Sequence, residues 1–259
     1  MNDHAVLIPT RHGPVGGIVS EPPSTQRGAL ILLQGLGPPA RAGVNANWTR
    51  LAWDLAELGL VVLRFDLARE GDSTPTATDV HRGEGWRRSI DLAMLREIAP
   101  WFLRGAGERE LLLAGSCHGG RIALEFAAHQ PPARGLFLIT PYLWDREPAK
   151  RDEQGPYPEP VDAGGPTLNT EEELTEGFST CLKQGPVWVL VGEPELEQVE
   201  PFDRRLREAG GPSFELEVAP GMPLHPVGHP RQQAIVRRRL GERIAQALAE
   251  RKAVVPSAS

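Results

Sequence analysis

The sequence predicts an α/β domain, a mostly parallel sheet of eight strands with helices on both faces. Three observations predict it. Short apolar runs such as 29–33, 60–65 and 187–191 recur along the chain, and runs of this kind suit strands covered on both faces. Between them lie segments whose apolar residues fall three and four apart, the pattern of helices with one buried side. The two kinds of segment alternate from end to end, as strand–helix units do when they build a parallel sheet. With 259 residues, 40% of them hydrophobic, the chain is long enough for one such domain with a full core.

Taken in order, the chain opens with a hairpin. Residues 5–8 and 15–19 flank a turn at His12-Gly13-Pro14, which makes one sheet edge antiparallel. Residues 29–33 form a buried strand, followed by the glycine loop Gln34-Gly35-Leu36-Gly37-Pro38. Leu51, Leu55 and Leu58 mark a helix over 48–58, closed by Gly59. A strand at 60–65 ends at Asp66, and Ile90, Met94, Leu95 and Ile98 share one side of a helix over 86–103. The strand at 111–114 leads into a glycine-rich turn, and a helix over 118–128 is stopped by Pro131-Pro132. Strands at 135–139, 187–191 and 214–218 complete the sheet, and a helix over 231–251 closes the domain.

The stretch 141–185 breaks this rhythm. It is rich in Pro, Gly and charge, with a single helix over 171–182, and an insertion of this length in a compact domain predicts a lid or binding loop. The expected organisation is a core of 1–140 and 186–252, a lid insertion at 141–185 and a flexible tail at 253–259.

The net charge is −6, and the basic residues are mixed with acidic ones except at Arg237-Arg238-Arg239, on a helix face. That balance argues against nucleic acid or an acidic membrane surface as the main partner. No run approaches the ~18 apolar residues of a membrane helix. Met1-Asn2-Asp3-His4 lacks the start of a signal peptide. Two cysteines, Cys117 and Cys181, are too few for a disulfide scaffold, so a reducing cytoplasm is expected. No metal and no cofactor are expected: no His/Cys cluster has zinc spacing, and the glycines match neither a P-loop nor Gly-x-Gly-x-x-Gly.

The chemistry centres on Gly115-Ser116-Cys117-His118-Gly119-Gly120, directly after a strand and before a helix. A sharp strand-to-helix turn thrusts its central side chain above the sheet and requires small residues two before and two after. Gly115 and Gly119 satisfy this around Cys117. A turn centred on Ser116 would place His118 where a small residue is needed. Cys117 is therefore the expected nucleophile, at a helix N-terminus whose dipole favours a thiolate.

The order of elements and these motifs together resemble the α/β-hydrolase superfamily over nearly the whole chain. Leu32-Leu33-Gln34-Gly35-Leu36-Gly37 looks like that family's oxyanion loop, with glutamine where histidine is commoner. Asp66 with Arg69-Glu70-Gly71-Asp72-Ser73 is similar to its Asp-x-x-Gly-x-Gly-x-Ser stretch. The elbow cysteine resembles the dienelactone hydrolase branch, and also thioesterases and cyclases of natural-product pathways, that is, of secondary metabolism.

The resemblance implies the α/β-hydrolase fold and a Cys-His-acid triad in that family's chain order of nucleophile, acid, histidine. The acid falls in Val191-Gly192-Glu193-Pro194-Glu195, where Glu195 takes the position usually held by aspartate and Glu193 and Glu197 are alternatives. The base falls between the last strand and the last helix, at His225 or, next to the helix, His229; His225 suits the spacing better. The backbone N–H groups of Leu36 and His118 would form the oxyanion hole. Tyr142, Leu143 and Trp144 would shape an apolar pocket beneath the lid.

The function so implied is acyl transfer or hydrolysis of an ester, lactone or thioester through an acyl-cysteine. The partner is a small-molecule acyl substrate, carried on a thioester in one version, and the oligomeric state is open. Two alternatives stand beside it: a thioesterase-like acyltransferase or carbon–carbon-forming cyclase, and a non-catalytic small-molecule binding protein of the same fold.

Overall fold

Apolar side chains alternate along the central strands and fill two layers. The structure, a computed structural model, describes residues 2–35, 41–68, 71–73, 84–107, 110–130, 133–143, 168, 170–208, 214–221 and 230–254. The strands are β1 (Asn2–Ile8), β2 (Val15–Glu21), β3 (Gly28–Leu33), β4 (Leu60–Phe65), β5 (Leu111–Ser116), β6 (Ala133–Pro141), β7 (Val187–Gly192) and β8 (Phe214–Ala219). They form one sheet in the order β1-β2-β4-β3-β5-β6-β7-β8. The pairs β1–β2 and β2–β4 are antiparallel, and the rest are parallel.

Every residue of β3, β4, β5 and β7 is buried. Ala29, Ile31, Leu33, Leu111, Leu113, Val187 and Val189 join one core, together with residues of α2 (Glu84–Ala106), α3 (Cys117–His129), α4 (Glu171–Gln184) and α5 (Leu196–Glu208). Leu30, Leu32, Leu112, Ala114, Trp188 and Leu190 join the other, with α1 (Asn47–Glu57) and α6 (Pro230–Val254). The period of two along each strand thus feeds both faces, which is why the runs read as continuously apolar.

The topology marks a switch point at β3. β3 pairs with β4 on one side and β5 on the other, so the chain winds outward from β3 in both directions. Where winding reverses, the loops leaving adjacent C-terminal strand ends part and open a cleft. Gln34 and Gly35 leave β3 there, and Cys117 leaves β5.

A charge of β4 is buried. Arg64 in β4 is 1% exposed. Its guanidinium donates to Thr49 Oγ1 at 2.6 Å and to the Arg41 carbonyl at 3.2 Å, and it lies 3.5 Å from Asp3. Burial pushes its pKa down, with Asp3 opposing that effect.

Three boundaries differ from the sequence reading. The helix expected inside a lid, α4, is a helix of the core layer. It opens with a capping box, Thr170 with Glu173, and turns Leu174, Phe178 and Cys181 inward. The Phe178 ring lies 5.7 Å from that of Phe202 and 5.9 Å from that of Phe214. Leu168 joins the same core. A lid spanning all of 141–185 is therefore corrected: its C-terminal part is core, and 144–167 lie outside the described residues. The helix α5 was not expected, because Pro201 and a charged surface mask Val199, Phe202 and Leu206, which fall three and four apart and are buried. At the end of the chain α6 continues to Val254, past the expected start of the tail, and 255–259 lie outside the described residues.

Candidate active site

The bend after β5 forces Cys117 into left-handed backbone, φ 49°, which a residue with a side chain adopts only at a cost of about 1–2 kcal/mol. Two glycines make the bend possible. A Cβ on Gly115 would stand 2.6 Å from the Gly119 carbonyl oxygen. One on Gly119 would stand 2.6 Å from the Leu33 carbonyl oxygen and collide with that of Gln34. The crossing of strand and helix is thus a backbone-to-backbone contact with no room for a methyl group. On the far side, a Cβ on Gly35 would lie 2.9 Å from Cys117 Cβ and 3.6 Å from Sγ, so Gly35 leaves the space beside the sulfur.

The adjacent serine and cysteine differ in backbone and surroundings. Ser116 is extended (φ −121°, ψ 150°) and buried, and its Oγ accepts the Gly35 N–H at 3.2 Å. Its hydroxyl therefore ties the β3 loop to β5. Cys117 is half-buried, at the start of α3. The Cys117 carbonyl accepts the Tyr142 N–H at 3.1 Å, and Cys117 bridges Pro141 in parallel, so the exit of β6 closes against the bend. Thr140 in that exit also has positive φ, 42°. Strained backbone of this kind clusters at functional sites.

The other candidate residues divide into three groups. His118 stands in the first turn of α3, where backbone N–H groups have no partner within the helix. Glu193, Pro194 and Glu195 form a single 3₁₀ turn at the C-terminal end of β7, the same sheet edge as Cys117; Glu193 is exposed. Glu197 follows, exposed, in the first turn of α5. Leu36, Trp144, His225 and His229 lie outside the described residues. The pocket role expected of Leu143 is corrected: it is 2% exposed in the core, and its carbonyl accepts from the buried Arg121 guanidinium. Tyr142 is half-buried beside it.

Three polar clusters hold the neighbouring segments, the first of them within the Asp66–Ser73 stretch quoted above. Asp66, fully buried, accepts the backbone N–H of Arg41 and of Asp72, each at 2.9 Å, and also takes the Arg41 guanidinium. Ser73 Oγ donates to the Asp66 carbonyl at 2.7 Å, and Gly71 has φ 49° with its hydrogen side against the Asp66 carboxylate. One carboxylate thus secures Arg41, before α1, and the turn after β4. Each Asp66 oxygen accepts a backbone N–H, so Asp66→Asn must turn an NH₂ toward one of these donors. We expect it to lower stability by about 2 kcal/mol, read from the urea midpoint.

The second cluster is Arg121 with Glu125, 2.7 Å apart one helical turn along α3 and both buried, which ties α3 to the exit of β6. The third is His118 with Asp91 of α2: the imidazole Nε2 lies 2.8 Å from Oδ2. The i, i+4 spacing was a legible signal for Arg121–Glu125, and a lone acid between Ile90 and Leu92 for Asp91.

Cys181, in α4, is 4% exposed, and burial pushes its thiol up to about 12. Among the described residues no group of three or more His, Cys, Asp or Glu is placed to hold a metal, and no helix is long and apolar enough to cross a membrane.

No protein-family model matches the sequence, and a search of curated proteins finds no match. Solved structures do resemble it. A carboxyl esterase from Bacillus coagulans aligns with TM-score 0.69 at 15% identity, over 96% of this chain and 99% of that one. A dienelactone hydrolase from Anabaena variabilis gives 0.63 at 16%, over 93% and 95%. An α/β serine hydrolase without a lid from Xanthomonas campestris gives 0.59 at 22%, over 93% and 94%. At such identities the likeness concerns the fold, and the chain has the α/β-hydrolase fold, as its eight-stranded sheet and strand order require.

Proposed function

We propose that the protein is an acyl-transferring enzyme of the hydrolase type whose nucleophile is Cys117. The observation that carries this reading is the left-handed backbone of half-exposed Cys117 on a bend between β5 and α3, beside Gly35 at the end of β3. Strain at one cysteine, maintained by glycines on both sides, is what a nucleophile needs and a packing residue does not. The resemblance in fold to an esterase and a dienelactone hydrolase supports the same reaction class.

In this mechanism His225 takes the Cys117 thiol proton, and the sulfur attacks the carbonyl carbon of an ester, lactone or thioester, forming the C–S bond. The electron pair displaced onto oxygen is held by the backbone N–H groups of Leu36 and His118. It returns as the bond to the leaving group breaks, and the imidazolium of His225 protonates that group. Water or another acceptor then takes the acyl group, with His225 as base and Glu195 orienting it. His229 and Glu193 are the alternative base and acid. The positive end of α3 favours the anionic sulfur.

The test is intact-mass analysis after exposure to 4-nitrophenyl acetate, followed by peptide mapping. One acetyl group on Cys117 is expected, with none on Cys181: at pH 8 a thiol shifted up to about 12 is thiolate in only about one part in 10⁴. His225→Ala should slow acylation by about 10²–10⁴-fold, and His229→Ala far less. Ester turnover that survives loss of Cys117 would overturn the reading. Tight retention of small acyl compounds with no adduct would favour a binding protein instead.

A further inference from the structure

The residue after the nucleophile has two parts, and they face different neighbours. Its backbone N–H is the donor assigned to the oxyanion above. Its ring is buried, with Nε2 2.8 Å from Asp91 Oδ2, and Asp91 is itself fully buried. The other carboxylate oxygen of Asp91 accepts the Ala68 backbone N–H at 2.7 Å. Ala68 lies two residues beyond Asp66, whose own carboxylate secures Arg41 at the far end of the β3 loop. The turn after β4 is thereby joined to Arg41 through Asp66 on one side and to the first turn of α3 through Asp91 and His118 on the other.

We propose that Asp91 and the His118 ring are positioning residues for the oxyanion donor. The inference rests on the acyl-transfer reading given above. A carboxylate only accepts, so the imidazole donates from Nε2, and the ring is fixed in one orientation. The ring and the N–H belong to one residue, so fixing the ring limits rotation of the first turn of α3, where the N–H points. An oxyanion donor acts over a narrow range, about 2.7–3.1 Å, and a displacement near 1 Å costs up to about a hundredfold in rate. Asp91 is anchored in turn by α2, whose Ile90, Leu92 and Leu95 are buried in the core.

The experiment compares two reactions of the same sulfur in the full-length protein. Acetylation by 4-nitrophenyl acetate forms a C–S bond, pushes an electron pair onto the carbonyl oxygen and expels 4-nitrophenolate. Alkylation by iodoacetamide forms a C–S bond and expels iodide, with no oxyanion. Both consume the thiolate, so the ratio of the two rates cancels any change in thiolate content. For His118→Leu the ratio should fall about 10- to 100-fold. Asp91→Asn should lower it in the same direction. His118→Gln, whose amide nitrogen can still donate to Asp91, should recover most of the loss.

A merely structural role predicts a lower melting temperature with both rates reduced together, and that result overturns the proposal. So does an unchanged ratio in His118→Leu and Asp91→Asn. If His118→Leu does not fold, the comparison of Asp91→Asn with His118→Gln decides by the same ratio. If the wild type is alkylated at Cys117 but never acetylated, the acyl-transfer reading itself fails and takes this assignment with it.

Discussion

Cys117→Ala should lower turnover of a 4-nitrophenyl ester by about 10⁴–10⁶-fold, the range seen when a triad enzyme loses its nucleophile. The expectation is this large because neither of the two nearest substitutes among the described residues can replace the sulfur. Ser116 is engaged with the Gly35 N–H and buried, and Cys181 is buried in α4. The fold should survive, since the change removes one half-buried atom. Stability offers an independent check on the backbone. At φ 49° alanine keeps the strain of a Cβ, whereas glycine relieves it at the expense of a more disordered unfolded chain. Cys117→Gly should therefore exceed Cys117→Ala in stability by about 0.5–1 kcal/mol, while both are inactive. Equal activity of Cys117→Ala and wild type, measured by initial rates with each ester tested, would dismiss the cysteine as nucleophile.

Gly119→Ala should be the most damaging small substitution for the fold, costing more than about 3 kcal/mol. The added methyl would meet the carbonyl oxygens of Leu33 and Gln34, which belong to the end of β3 and cannot rotate away as a side chain would. Either α3 lifts from the sheet or β3 withdraws, and both carry the site with them. Any protein that remains folded should also lose acylation of Cys117, because the loop proposed to hold the oxyanion begins at Gln34. Guanidinium unfolding and adduct formation on the same sample measure both effects. A glycine with open space serves as the control: Gly241 in α6 meets nothing within 4 Å, so Gly241→Ala should be neutral or slightly stabilising.

What could be read from residues alone was local or periodic. The elbow was legible because its requirement is a spacing, glycine two before and two after Cys117, and the clash that explains it occurs between near neighbours. The inner strands were legible because burial on two faces leaves long apolar runs, and the edge hairpin because of its turn at His12-Gly13-Pro14. The packing of α4 in the core was not, since the helix follows a charged and Pro-rich stretch and its inward side is only Leu174, Gly177, Phe178 and Cys181. The helix α5 was hidden in a similar way by Pro201 and its charged face.

The sequence by itself determined the class of fold, the position of the sharp turn and the identity of the side chain at its apex, because these follow from side-chain size and short-range spacing. Tertiary structure alone decided which polar residues surround that apex. Asp91 meets His118 across 27 residues, and Asp66 meets Arg41 across 25. Each pair is brought together by a sheet that winds both ways from β3, so a hydrogen bond of under 3 Å depends on the path of the whole chain rather than on any motif within it.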